Sequence, residues 1–320
     1  MSNRVDIVIP VFNESAAIKM NIEIILNELE TAGLRSTTRI ILIDDGSQDD
    51  TYASIQSLMA DCSNVAAIRL TRNFGKEAAI ETGLRHSSAD AVITMDSDLQ
   101  HPPSLLPQFI EHWKKGALVV EGVKRSRGDE GASSTVFARM FYWLFGWLAD
   151  IRIDNHSDFK LLDRRVVDLY LKLPERNKFF RGLVPWLGHT SVRLPFDVSP
   201  RGSGQSTWSR LALFRYAWNN ICSFSSIPLQ FVSFLGIAAV GVSLVVLVIA
   251  VVQYARGTAV EGFTTVIFLL VFLSGMQMTA IGILGGFVAR IYNEVKGRPT
   301  SVVGELAGPI EPVEATSNRN

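Results

Sequence analysis

The sequence predicts an α/β fold in which a mostly parallel sheet, with helices on both faces, is followed by two C-terminal transmembrane helices. Three observations predict it. Residues 5–123 alternate short apolar runs with stretches of helical spacing, the rhythm of strand–helix–strand units. Polar clusters fall at the ends of successive apolar runs, where such sheets bind ligands. Two long uncharged stretches lie near the C-terminus.

Taken in order, Val5–Pro10 reads as a strand. Glu14–Ala32 reads as a helix, with Ile18, Ile22, Ile25, Leu26 and Leu29 on one face. Arg39–Asp44 is a strand, and Asp50–Met59 a helix capped by Asp49 or Asp50. Val65–Leu70, Ala91–Met95 and Ala117–Val123 are strands. Lys76–His86 and Ser104–Lys115 are the helices between them.

No charged residue lies between Arg215 and Arg256, a gap about twice what one span needs. Gly262–Ala289 is a second such stretch. A soluble helical hairpin is the alternative, but two such lengths in succession favour a membrane. The joint Gln253–Glu261 is short, while Arg210, Arg215, Arg290, Lys296 and Arg298 flank the pair. The positive-inside rule places both flanks in the cytoplasm. Gly282, Gly285 and Gly286 would allow close helix approach, within the chain or in a homo-oligomer, or are there by composition alone. The expected segments are a cytoplasmic domain 1–207, a juxtamembrane amphipathic stretch 208–226, a membrane hairpin 227–290 and a partly disordered cytoplasmic tail 291–320.

The chain has 320 residues and a formal net charge of zero, which argues against nucleic acid as a partner. Met1–Asp6 lacks the basic-then-apolar layout of a signal peptide. Cys62 and Cys222 have no metal-ligand spacing, and a reducing compartment disfavours their pairing.

Four polar clusters follow the first four strands: Pro10–Glu14, Asp44–Ser47, Arg72–Lys76 and Asp96–Ser97–Asp98. Each alone is ordinary turn chemistry. Together they line one acidic cleft bordered by base. Asp96 and Asp98, with Gln100, form a compact oxygen cage suited to Mg²⁺ or Mn²⁺ carrying substrate phosphates. His101, before two prolines, reads as a turn residue more than a metal ligand. No Gly-x-Gly-x-x-Gly follows the first strand, which disfavours a dinucleotide cofactor, and there is no Walker loop.

These runs, with Met95–Gln100, resemble the family 2 glycosyltransferases of GT-A fold. Ser157–Arg164 and Arg201–Ser206 are similar to the polyprenyl-phosphate group, which includes bactoprenol glucosyltransferases and dolichol-phosphate mannose synthases. Lys160 stands where relatives often carry Arg, and Thr207 where a Lys is usual. The Gln-x-x-Arg-Trp signature of processive synthases is absent, which favours a single transfer.

The resemblance implies a nucleotide-sugar donor held by Pro10, Phe12, Glu14, Asp44, Asp45, Lys76, Asp96 and Ser97, with a metal on Asp96, Asp98 and Gln100. Asp98 and Asp158 are the implied catalytic residues. The implied acceptor is undecaprenyl or another polyprenyl phosphate, already mostly an anion at neutral pH. Asp158 would therefore orient substrates as much as take a proton. Arg125, Arg127 and Arg201 could grip the acceptor phosphate, or Arg125 and Arg127 could form a solvated basic loop. The expected reaction is inverting transfer of one hexose, glucose from UDP-glucose ahead of mannose from GDP or an amino sugar. A non-catalytic membrane protein that binds nucleotide sugar or aids lipid movement is the rival class. Ser133–Leu148 and Trp208–Phe224 carry aromatics that suit interfacial or core helices, and Phe179, Phe180 and Trp186 share that ambiguity.

Overall fold

The computed structural model describes residues 3–125, 156–176, 178–197, 227–257 and 262–310. Among the described residues eight strands form one sheet: β1 (Val5–Val11), β2 (Thr38–Asp44), β3 (Val65–Leu70), β4 (Ala91–Thr94), β5 (Val119–Lys124), β6 (His156–Asp163), β7 (Ser191–Phe196) and β8 (Val303–Ala307). Their order is β7-β5-β6-β4-β1-β2-β3-β8. Only β6 and β8 run against the rest. The central strands bury both faces, which is why β1, β2 and β4 read as continuous apolar runs and do not alternate.

The helices are α1 (Ile18–Thr31), α2 (Thr51–Asp61), α3 (Lys76–His86), α4 (Leu106–Lys114), α5 (Arg164–Lys172), α6 (Phe180–Trp186), α7 (Ile227–Ala255) and α8 (Phe263–Val295). The apolar stripe of α1 is buried as its spacing predicts. However, α1 begins at Ile18 and not at Glu14. The Glu14 carbonyl accepts the Ala17 and Ile18 N–H groups, while its own N–H donates to Thr51 Oγ1 at 2.8 Å. Glu14 thus sits in a lead-in turn fixed against the start of α2. At α2 the working cap is Asp49, whose Oδ1 accepts the Thr51 N–H at 3.1 Å; Asp50 makes no capping bond. The expected Ser104–Lys115 helix splits into a single tight turn at Pro103–Leu105 followed by α4.

The described residues fall into two units, the sheet with α1–α6 and residues 299–310, and the apolar pair α7 and α8. Both helices of that pair are long and apolar enough to cross a membrane. The tail after Arg298, expected to lack order, is a correction: its residues 303–307 form β8. That strand pairs antiparallel with β3, and Thr71 donates its N–H to the Val302 carbonyl at 3.0 Å. The aromatic segments 133–148 and 208–224, Arg127 and Arg201 lie outside the described residues.

Candidate active site

In-register parallel pairing aligns the ends of β1 and β2 at Val11↔Asp44 and brings β4 beside β1 at Val8↔Thr94. The loops that follow therefore open on one edge. Pro10 lies past the last β1–β4 pair, so its missing N–H costs no bond to β4. Antiparallel β6 then enters from the opposite direction. Its register with β4 ends at Thr94↔Lys160, and two further residues along each strand bring Asp158 beside Asp96.

Lys76, the first residue of α3, closes the gap between them. Its Nζ lies 2.6 Å from Asp96 Oδ1 and 2.8 Å from Asp158 Oδ2. Arg181 on α6 grips Asp158 as a fork, Nε to Oδ1 at 3.2 Å and Nη2 to Oδ2 at 2.7 Å. Burial alone would push the Asp158 carboxyl up; Lys76 and Arg181 override it and hold the group well below the usual carboxylate range. Burial likewise opposes the charge on Lys76, but Asp96 and Asp158 raise it above the ordinary lysine value.

Beside this ion cluster stands an acidic one. Burial raises the Glu14 carboxyl; its hydrogen bond with the Ser97 side chain resists this, and the charges of Asp98 and Asp96 add to it. Ser97 is itself pinned, its carbonyl accepting Asn21 Nδ2 at 2.8 Å. Leu99 adopts φ +56°, a strained value for a residue with a branched side chain. That turn lets the Gln100 N–H reach Asp98 Oδ1 at 3.1 Å and leaves Asp98 exposed.

Several expected site residues have other work. Asp45 takes the N–H groups of Phe74 and Gly75 at 2.7 and 2.9 Å. It anchors the Arg72–Lys76 loop. Gly46, at φ +72°, is required there because a Cβ would lie 2.4 Å from the Arg72 carbonyl carbon. Asp44 is fully buried; Oδ1 accepts the Ser47 N–H at 2.9 Å, while Oδ2 has no hydrogen-bond partner and faces Arg69 Nε at 3.4 Å. Phe12 is exposed. Arg125 forms a solvent-exposed pair with Asp197 at 3.3 Å, the behaviour of a surface basic loop.

His101 accepts the Asp96 N–H on Nδ1 at 3.1 Å and stacks on Phe159 with centroids 5.0 Å apart. Burial disfavours the charged ring and lowers its pKa. Among the described residues no three His, Cys, Asp or Glu side chains gather as a metal site. The donor set still fits a hard cation. Mg²⁺ and Mn²⁺ are commonly held by one or two carboxylates, with substrate phosphates and water completing the shell. Exposed Asp98 is the better ligand, because Asp96 gives Oδ1 to Lys76.

Sequence reasoning missed Arg181 and Glu77. Glu77 accepts the Phe180 N–H at 2.9 Å at the start of α6. Burial and the neighbouring Asp158 charge push it up to about 7. The signal available for Arg181 was an Arg inside the aromatic run Phe179–Trp186.

Residues 6–168 match the family model described as Glycosyl transferase family 2. The chain belongs to this family. This glycosyltransferase is 34% identical to the SfII prophage-derived bactoprenol glucosyl transferase of Shigella flexneri over 302 residues, 94% of this chain and 97% of that one. It is 32% identical to a prophage bactoprenol glucosyl transferase homolog of Escherichia coli K12, covering 94% of this chain and 98% of that one. Its fold is loosely similar to glucosyl-3-phosphoglycerate synthase of Mycobacterium tuberculosis solved with Mn²⁺ and UDP-glucose. That likeness has a TM-score of 0.46 and 20% identity over 68% of this chain and 77% of the other, a distance that carries no ligand across.

Proposed function

We propose that this glycosyltransferase moves one hexose, glucose from UDP-glucose, onto undecaprenyl phosphate with inversion at the anomeric carbon. The reaction takes place at the cytoplasmic face of an inner membrane, with the catalytic domain and both flanks of the apolar hairpin on that side. The observation that carries this reading is the state of Asp158. A carboxylate forked by Arg181 and paired with Lys76 is a weak base. A hydroxyl acceptor would need a base to take its proton. A phosphate monoester, with a second pKa near 6, arrives already ionised and needs only to be aimed. The Shigella relative's name supports the same acceptor.

The chain's own residues then do the following. Asp44 and Glu14 accept from nucleoside hydroxyl or N–H groups. Lys76 fixes Asp96 and Asp158 side by side, and Asp158 orients the sugar or the incoming phosphate. Asp98, with Asp96 and Gln100, would hold a divalent cation that offsets charge on the departing diphosphate.

The test is transfer by the purified full-length chain from radiolabelled UDP-glucose, GDP-mannose and UDP-amino sugars to undecaprenyl phosphate, with Mg²⁺, Mn²⁺ or EDTA. Label should enter the lipid from UDP-glucose only, and EDTA should stop it. Asp98→Ala should abolish transfer while the protein stays folded. Labelling of lipid by no donor would favour a binding protein; labelling from GDP-mannose alone would overturn the donor assignment.

A further inference from the structure

The start of α6 is fixed more firmly than a seven-residue helix needs. Phe180 is fully buried and packs edge-on against Tyr170 with centroids 5.5 Å apart. Its N–H is taken by Glu77 of α3. Two residues earlier, Lys178 places Nζ 3.1 Å from Glu81, one turn further along α3, and both side chains are buried. The same ammonium donates to the Leu171 carbonyl at the end of α5 at 3.3 Å. Glu81 is held in turn by Arg85 at 2.6 Å and Thr300 at 3.3 Å. Residues 77 and 81 of α3 thus act as a two-rung acidic ladder, and the rungs grip residues 178 and 180.

What this ladder delivers is the next residue. Arg181 meets Asp158 with both carboxylate oxygens engaged, a planar fork that fixes distance and orientation together. Lys76, adjacent to the first rung, holds the same carboxylate by one oxygen. A lysine is a point charge and tolerates rotation of its partner, whereas the guanidinium fork does not. A buried ion pair is a weak source of stability but a strong source of fixed geometry where one partner must not move.

We propose that Arg181 is a positioning residue for transfer. It holds Asp158 aimed beside Asp96, with Glu77 and the Lys178–Glu81 pair supporting it from behind. The proposal rests on the reading above that Asp158 orients a substrate. It makes α6 part of the catalytic apparatus, although no side chain of α6 other than Arg181 reaches Asp158 in the described contacts.

The experiment compares full-length wild type, Arg181→Ala, Arg181→Lys, Asp158→Asn and the Arg181→Ala/Asp158→Asn double variant. Arg181→Ala should lower kcat about 100-fold, the scale of an ångström-sized misplacement, with the donor and acceptor KM unchanged. Arg181→Lys should recover part of that loss. A rise in acceptor or donor KM at constant kcat would show direct phosphate binding and overturn the positioning role, as would wild-type kinetics. A second measurement needs no substrate. The Arg181→Ala loss of unfolding midpoint should shrink when Asp158 is already Asn; additive losses would overturn the pairing. If wild type labels no lipid, the transfer assignment fails while this unfolding cycle still judges Arg181.

Discussion

Lys160 and Glu121 face each other across β6 and β5, and their ammonium and carboxylate form an ion pair with both side chains 1% exposed. Lys160 lies two residues from Asp158, on the same face of β6. Glu121→Gln removes the countercharge and leaves a buried ammonium without its anionic partner. Burial already pulls the Lys160 pKa down, and Glu121 is the main force opposing it. Breaking a pair this deep costs about 3–5 kcal/mol. At about 2–4 °C per kcal/mol for a domain of this size, the unfolding midpoint should fall by roughly 6–20 °C. Lys160→Met/Glu121→Leu removes both charges at similar volume and should return the midpoint to wild type or above, since such swaps are neutral or stabilising by about 1–4 kcal/mol. The assay is thermal unfolding of the purified chain in detergent, followed by near-UV circular dichroism, with lipid labelling measured alongside. A Glu121→Gln midpoint within about 2 °C of wild type, the mark of 1 kcal/mol or less, would refute the reasoning.

Burial pushes the Glu77 carboxyl up to about 7, above its ordinary value of about 4.5. The folded state therefore binds its proton more tightly, and stability falls as pH rises between those values. Glu77→Gln should flatten that slope, read as the difference in unfolding midpoint between pH 5 and pH 8; parallel curves for both proteins would remove Glu77 as the cause. Gly46→Ala forces a Cβ to 2.4 Å from the Arg72 backbone at φ +72°. It should cost about 1–3 kcal/mol and lower activity by displacing the Arg72–Lys76 loop; equal midpoints would contradict the close approach. Truncation after Arg298 removes β8 and the Thr300 bond to Glu81. Hydrogen exchange at residues 67–70 should then accelerate, and size-exclusion chromatography should show association through the bared β3 edge. Unchanged exchange at those amides would mean that β8 does not pair in solution.

The first nine elements were legible because their signals are local. A buried parallel strand is a short apolar run, and an amphipathic helix repeats every three or four residues. The four polar clusters were legible for the same reason, since the parallel topology places strand ends together without further information. β6 was not legible as a strand: His156–Asp163 places Asp158, Lys160 and Asp163 among apolar residues, and the charges are tolerated only because Lys76, Arg181, Glu121, Arg165 and Trp113 meet them. Those partners lie as far as 82 residues away. Arg181 was hidden in the same way, since its meaning depends on Asp158, and α6 is too short and too interrupted by Pro185 to announce itself. Asp45 carries a second role that the sequence did not show, since its hold on the Phe74 and Gly75 N–H groups depends on residues about 30 positions away.

β8 adds a constraint that composition could not. The chain leaves the sheet after β7, runs through α7 and α8, and returns to pair with β3 of the same sheet. A bilayer offers no path for a strand to rejoin a sheet on its far side. If α7 crosses, α8 must cross back; one span or three would strand Val303–Ala307 away from Arg69 and its neighbours. The basic flanks at Arg210, Arg215, Lys296 and Arg298 point to the same side by an independent rule based on charge. Sheet pairing requires an even number of crossings if there are any, and the charge rule expects both flanks on one side; the two constraints are compatible.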